Sequence, residues 1–263
     1  LSNDGNILVV GAPVLDSSSE SSSGAVFVYR RDLNGTWTTM GTHLVGRETN
    51  EFFGWSASLS SSGLRLAVGA PISSDTTGLV RIYDWDGDSW SQTGSDIVGD
   101  VPLNRFGSSV CLSDDGSVLA VGAPGSGFEP GQVRVFRFLG GQFEADENVF
   151  VGDEEAEGFG SSVSLSGDGS ILAAGGPQNS KFGDEAGLIK VFKISAAGLW
   201  EQEGSGIGSE ILTEFGAVVA LSKDGARVAG GAPTTAYVGS IPRAGGAQVY
   251  QRSAQERRYL RKN

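Results

Sequence analysis

The densest run of side chains able to do chemistry is Asp84-Trp85-Asp86-Gly87-Asp88. Carboxylates at alternate positions on a turn can converge on a hard cation, so Asp84, Asp86 and Asp88 form a candidate calcium site. The competing reading is a hairpin between two strands, with Asp-Gly serving turn geometry and Trp85 shielding an edge. A second acidic run, Asp153-Glu154-Glu155 with Glu157, reads as a solvated connection. Paired carboxylates for glycoside hydrolysis must flank a cleft at a defined separation, and nothing in the sequence fixes one. His43 is the only histidine, which excludes a histidine-based metal site and leaves a Ser-His-Asp arrangement with a single candidate base. No Gly-x-Ser-x-Gly elbow is present. His43 precedes Leu44-Val45-Gly46 and is expected on the surface of an outer strand. Cys111 is the only cysteine, so no intrachain disulfide forms; between Val110 and Leu112 it reads as a packed thiol. The residue inventory predicts a protein that is not an enzyme and carries no cofactor beyond the candidate calcium.

Bulk charge narrows the partners. With 31 acidic and 19 basic residues the net charge is −12, which disfavours nucleic acid and anionic membrane surfaces. No apolar run approaches the roughly 20 residues that span a bilayer, so no membrane insertion is expected. The first residues, Leu1-Ser2-Asn3-Asp4-Gly5, stand partway through a repeat without an initiator Met, and the chain is read as a fragment or a processed form. Residues 253–263 form a basic strand or tail. Arg252, Arg257, Arg258, Arg261 and Lys262 supply five of the 19 basic residues at this end.

The elements that must position these groups are repeated. Phe106 to Pro124, FGSSVCLSDDGSVLAVGAP, reads as two short strands joined by an Asp115-Gly116 turn. Residues 118–121 are a continuous apolar run, as in a strand buried on both faces, and Gly-Ala-Pro ends it because Pro cannot donate to a ladder. Phe-Gly pairs recur at 53, 106, 159 and 215, spaced by 53, 53 and 56 residues, and Gly69, Gly122, Gly175 and Gly231 keep the same intervals. A strand such as LVRIY at 79–83 follows, then an outer strand marked by Trp37, Trp90, Phe143 or Trp200, with Tyr259 near the equivalent place in the last repeat. In the first repeat that outer strand is expected to run from Trp37 to Val45-Gly46. Five such repeats, at about 1–52, 53–105, 106–158, 159–214 and 215–252, predict an all-β fold. It would be a β-propeller of four-stranded blades, as a five-bladed ring or as five blades of a larger one.

The recurring aromatics suit packing of blade on blade. Trp55 and Trp85 fall outside that pattern and are the candidate ligand-facing residues. Asn34-Gly35-Thr36 is an N-glycosylation sequon on a turn.

The motif FG-x-SV-x-LS-x-DG-xx-LAVGAP followed by G-x-V-x-V-[YF] resembles the FG-GAP repeat family, best known from the integrin alpha-chain N-terminal propeller. The resemblance covers residues 1 to about 252. It implies an extracellular or cell-surface protein, with the Phe-Gly strand innermost and ligand recognition by loops on one face. In that family some turns hold calcium through an Asp-x-Asp-x-Asp-Gly pattern. The matching turns here, such as Ser113-Asp114-Asp115-Gly116 and Ser222-Lys223-Asp224-Gly225, carry at most two carboxylates, so calcium is not expected in them.

The expected function is therefore a binding or scaffold module for a protein or glycan ligand, working through the connections at 14–23, 72–77, 125–130, 178–186 and 234–244. An architectural subunit of a larger assembly and a propeller hydrolase or lyase are the alternatives.

Overall fold

The computed structural model describes residues 1–16, 21–72, 77–208, 212–235, 245–253 and 258–261. Every described element is a strand, and no helix is long and apolar enough to cross a membrane. The chain divides into two compact units, residues 1–121 with 136–146 and residues 122–135 with 147–263.

The first unit begins with a sheet of β1 (Ile7–Ala12), β2 (Ala25–Arg31), β3 (Trp37–Thr39) and β4 (Leu44–Val45). The second sheet holds β5 (Ser56–Leu59), β6 (Arg65–Ala70), β7 (Leu79–Trp85), β8 (Trp90–Gln92) and β9 (Ile97–Val98). A third sheet, β10 (Ser109–Leu112), β11 (Val118–Ala123), β12 (Gln132–Leu139) and β13 (Gln142–Val151), contributes strands to both units. The second unit continues with β14 (Ser162–Leu165), β15 (Ile171–Gly176), β16 (Leu188–Ile194), β17 (Trp200–Gln202) and β18 (Ile207–Gly208). After them come β19 (Leu212–Thr213), β20 (Val218–Leu221), β21 (Arg227–Ala232), β22 (Thr234–Thr235), β23 (Gly246–Ser253) and β24 (Arg258–Arg261). Here β20-β21-β23-β24 form the fifth sheet, and β19 pairs with β22 apart from it.

Each inner hairpin is made by the same local chemistry. In the third sheet the Ser113 hydroxyl donates to Asp115 Oδ1 at 2.7 Å and accepts the Val118 N–H at 2.9 Å, while Asp115 also takes the Ser117 N–H. The sets Ser2/Asp4/Ile7, Ser166/Asp168/Ile171 and Ser222/Asp224/Arg227 repeat this closed network. In the second sheet Ser62 stands in the aspartate's place and contacts Ser60. These carboxylates are engaged by hydroxyl and backbone donors, which is a turn-closing role.

The hairpins deliver the apolar runs to the interior. Leu119, Ala120 and Val121 are fully buried, as are Leu66, Ala67 and Val68. Phe53, Phe106, Phe159 and Phe215 are buried too, each meeting an aromatic of its own sheet edge-on: Tyr83, Phe136, Phe192 and Tyr250, with centroids 6.2, 6.0, 6.5 and 6.1 Å away. Burying one such ring contributes on the order of 1.5–3 kcal/mol, beyond which edge-on pairing adds a little.

The outer strand corrects the sequence expectation. Instead of one strand from Trp37 to Val45-Gly46, β3 and β4 are separate pieces that both pair with β2. The same break separates β8 from β9 and β17 from β18. Gly41, Gly94 and Gly204, four residues after each Trp, have φ of 78°, 72° and 72° and turn the chain out of the ladder. Glu147 occupies that place after Phe143, and β13 runs unbroken for 10 residues. At the far end β24 pairs with β23, and the buried Tyr259 donates its hydroxyl to Gly225 O at 2.5 Å.

Candidate functional site

The run from Asp84 to Asp88 ends β7 and forms the turn into β8. Asp84, still on the strand, is bound by the Arg65 guanidinium at 2.6 and 2.7 Å and by the Thr93 hydroxyl at 2.9 Å. Burial raises its pKa, but these bonds outweigh that and hold the carboxyl below its usual range. Asp86 accepts the N–H groups of Ser89 and Asp88 at 2.8 and 2.9 Å and the Ser89 hydroxyl at 3.0 Å, which lower its pKa. Asp88 is exposed. The three carboxylates thus take three different roles, and no group of three metal-ligating side chains exists among the described residues. Asp84 and Asp86 are thus engaged by donors of the protein itself, and Asp86 closes the β7–β8 turn.

What the turn does build is a groove. Trp85 and Trp90 are paired across β7 and β8, with ring centroids 5.4 Å apart. The Trp90 indole N–H donates to Met40 O at 3.0 Å, tying this hairpin to the first sheet. A space of about 250 Å³ remains, lined by Arg30, Thr38, Thr39 and Met40 from the first sheet and by Trp85 and Asp88 from the second. The Arg30 guanidinium lies 5.9 Å from the Trp85 ring centroid, a cation–π distance. Gly41 keeps the floor open, since a Cβ there would lie 2.8 Å from the Trp85 ring. The wall thus combines an aromatic face, a guanidinium, two hydroxyls and an exposed carboxylate. Trp85 and Asp88, singled out separately in the sequence, meet in this one groove.

The other sequence candidates lie elsewhere. Trp55 is 53% exposed and meets Phe52 edge-on at 6.4 Å. His43 is exposed and stacks on Phe27 at 5.3 Å. Cys111 is half-buried in β10. Asn34 lies exposed on the β2–β3 turn, where Asp32 accepts the N–H of Asn34 and of Thr36. Trp200 is buried against Phe150, whereas Trp37 is 40% exposed. Residues 17–20, 73–76 and 236–244 of the proposed recognition loops, and Arg257 and Lys262 of the basic end, lie outside the described residues.

No protein-family profile and no curated protein matches the chain. Among solved structures, a protein of Bacteroides uniformis named as a candidate 6-phosphogluconolactonase is similar over 100% of this chain and 68% of its own, with a TM-score of 0.66 and 14% identity. Hydrazine synthase of Kuenenia stuttgartiensis is similar over 99% of this chain and 67% of its own, with a TM-score of 0.58 and 16% identity. The shared fold is β-propeller-like and all-β. At these identities the likeness concerns fold alone.

Sequence reasoning missed a set of buried charges. Glu51 and Glu157, two residues before Phe53 and Phe159, are fully buried. Glu157 therefore departs from the solvated run expected at 153–157, although Asp153, Glu154 and Glu155 are exposed. Its carboxylate accepts the N–H groups of Asp153 and Glu154 and so folds the connection over itself. Glu51 does the same for Arg47 and Glu48, and its other oxygen lies 2.5 Å from Arg81 Nη1. Arg81 also binds Asp96 at 2.9 Å. A signal was available: a charged residue inside an apolar third strand, Arg81 in LVRIY and Lys190 in LIKVF, needed a buried partner.

Proposed function

We propose that this chain is a non-catalytic recognition module, an FG-GAP-type β-propeller acting outside the cell or at its surface on a glycan or protein ligand. The five repeats would form a ring of five blades or five blades of a larger ring. The observation that carries the reading is the Trp85 groove. An aromatic face bordered by Arg30, Thr38, Thr39 and Asp88 matches the two requirements of a saccharide, an apolar ring face and a rim of hydroxyls. His43, the chain's only histidine, is exposed and stacked on Phe27, which speaks against a Ser-His-Asp hydrolase arrangement.

A glycan array and isothermal titration on the full chain test this reading. Trp85→Ala is expected to weaken the best ligand at least about tenfold, roughly 1.4 kcal/mol, with Trp55→Ala as a parallel variant for the second exposed aromatic. Unchanged affinity in Trp85→Ala would remove the groove from the proposal.

The architectural alternative is a subunit of a larger assembly. Light scattering coupled to gel filtration separates the readings, since a concentration-independent monomer speaks for the recognition module.

A further inference from the structure

The groove beside Trp85 has a counterpart in the second unit. Arg30 pairs with Thr38 and Tyr29 with Thr39 across β2 and β3; Lys193 pairs with Glu201 and Phe192 with Gln202 across β16 and β17. With the registers superposed, Lys193, Glu201, Gln202 and Glu203 hold the places of Arg30, Thr38, Thr39 and Met40. On the following sheet Arg252, two residues beyond Tyr250, holds the place of Trp85, two beyond Tyr83. These residues line a cavity of about 500 Å³, twice the size of the first.

Its chemistry is changed as a set. Where Met40 and Trp85 line the first groove, Glu203 and Arg252 form a two-pronged ion pair, with Arg252 Nε 2.8 Å from Glu203 Oε2 and Nη2 bonded to Oε1. The glutamate side chain is only 9% exposed, and the pairing raises the arginine pKa. Ser195 also borders the cavity, with its Oγ buried beneath the surface.

We propose that this cavity binds a neutral, hydroxyl-rich ligand the size of a mono- or disaccharide, read by charged side chains instead of an aromatic ring. Lys193 and Arg252 balance Glu201 and Glu203, so the lining has no net charge to attract an anion or a cation. Sugar hydroxyls donate and accept together. They suit donors on Lys193 and Arg252 beside acceptors on Glu201, Glu203 and Gln202. The volume falls within the usual range for small-molecule sites. The proposal shares its ligand class with the recognition reading but stands on a separate cavity.

The test is a titration of the full chain, followed by amide chemical shifts, with methyl α-mannoside, maltose, cellobiose and lactose at tens of millimolar. Inorganic phosphate and free lysine serve as charged probes. At least one sugar is expected to shift Lys193, Ser195, Glu201, Glu203 and Arg252. Glu201→Gln, an exposed change, should weaken that sugar several-fold; Glu203→Gln should weaken it about tenfold. Silence from all four sugars at these residues overturns the proposal, as does a response to phosphate or lysine alone. Shifts confined to Arg30, Thr38 and Trp85 overturn it while supporting the first groove. Sugar shifts in the second cavity with none at Trp85 support it while removing the first.

Discussion

Replacing Glu51 by Ala is the sharpest probe of how the repeats are held. The carboxylate is fully buried and serves three partners: the N–H groups of Arg47 and Glu48, and the Arg81 guanidinium at 2.5 Å. Alanine removes all three contacts and leaves Arg81, whose side chain is 3% exposed, with Asp96 as its remaining carboxylate. Breaking a buried pair from one side costs about 3–5 kcal/mol. Asp96 retains part of the compensation and Arg47 is largely exposed, so the lower end, about 3 kcal/mol, is expected. At roughly 2–4 °C per kcal/mol for a chain of this size, the melting temperature should fall by about 6–12 °C. Urea denaturation followed by near-ultraviolet circular dichroism measures the loss. Adding Arg81→Met to Glu51→Ala should recover much of it, because the stranded charge is then gone. A loss below about 1 kcal/mol, or no recovery in the double variant, would refute the account.

Three further outcomes are expected. Lys190 holds the place of Arg81 but directs its ammonium to Asp153 at 2.7 Å and Val151 O at 3.3 Å, leaving Glu157 Oε1 unpartnered; Lys190→Arg should reach that oxygen and raise the urea midpoint by an amount worth about 1 kcal/mol. The turn aspartates titrate below their usual range: the Ser2 hydroxyl and Asn6 N–H bring Asp4 from 3.8 to about 2, and Asp115, Asp168 and Asp224 are also lowered. A lowered folded-state pKa gives stability that is complete above the unfolded value and lost as pH falls through the folded one. Acid unfolding should therefore steepen from about pH 4 toward 2, and Ser113→Ala should move its midpoint upward in a pH titration. Tyr259→Phe removes the bond to Gly225 O and should cost about 1 kcal/mol by denaturation. Burial raises that phenol to about 12 and raises Tyr83 as well, so an absorbance titration of the wild type should find more than one tyrosine that ionises late, and Tyr259→Phe should remove one of them.

The repeat motifs were legible because the same physics acts in each copy. Phe-Gly and Gly-Ala-Pro bracket strands whose apolar runs are buried, and the Ser-x-Asp-Gly turn is closed by its own side chains. The separate roles of the alternating aspartates have a local reason. Asp84 lies on a strand and Asp86 in a turn, and Arg65, which binds Asp84, is distant in sequence. The Glu157 burial was hidden because a run of acidic residues reads as solvated, and only its last member turns inward to gather backbone donors. Both grooves were invisible because each joins residues from two repeats. Arg30 meets Trp85, and Glu203 meets Arg252, only after neighbouring sheets have packed.

The close approach of the inner strands has a consequence for how such a chain can change. A Cβ at Gly11, Gly69 or Gly175 would fall 2.0, 2.0 and 1.9 Å from the carbonyl oxygens of Gly54, Gly107 and Gly216. At these glycines neighbouring repeats therefore meet main chain to main chain, and serine hydroxyls such as Ser56 and Ser162 bond across the same joint. A duplicated copy arrives with its joint already fitting, whatever its rim residues are. The rim is then free to drift, and the exchange of Met40 and Trp85 for Glu203 and Arg252 is such a drift. The repeats behave as interchangeable cassettes, in which a glycine and its neighbouring serines fix the coupling and a handful of outer positions hold the vocabulary.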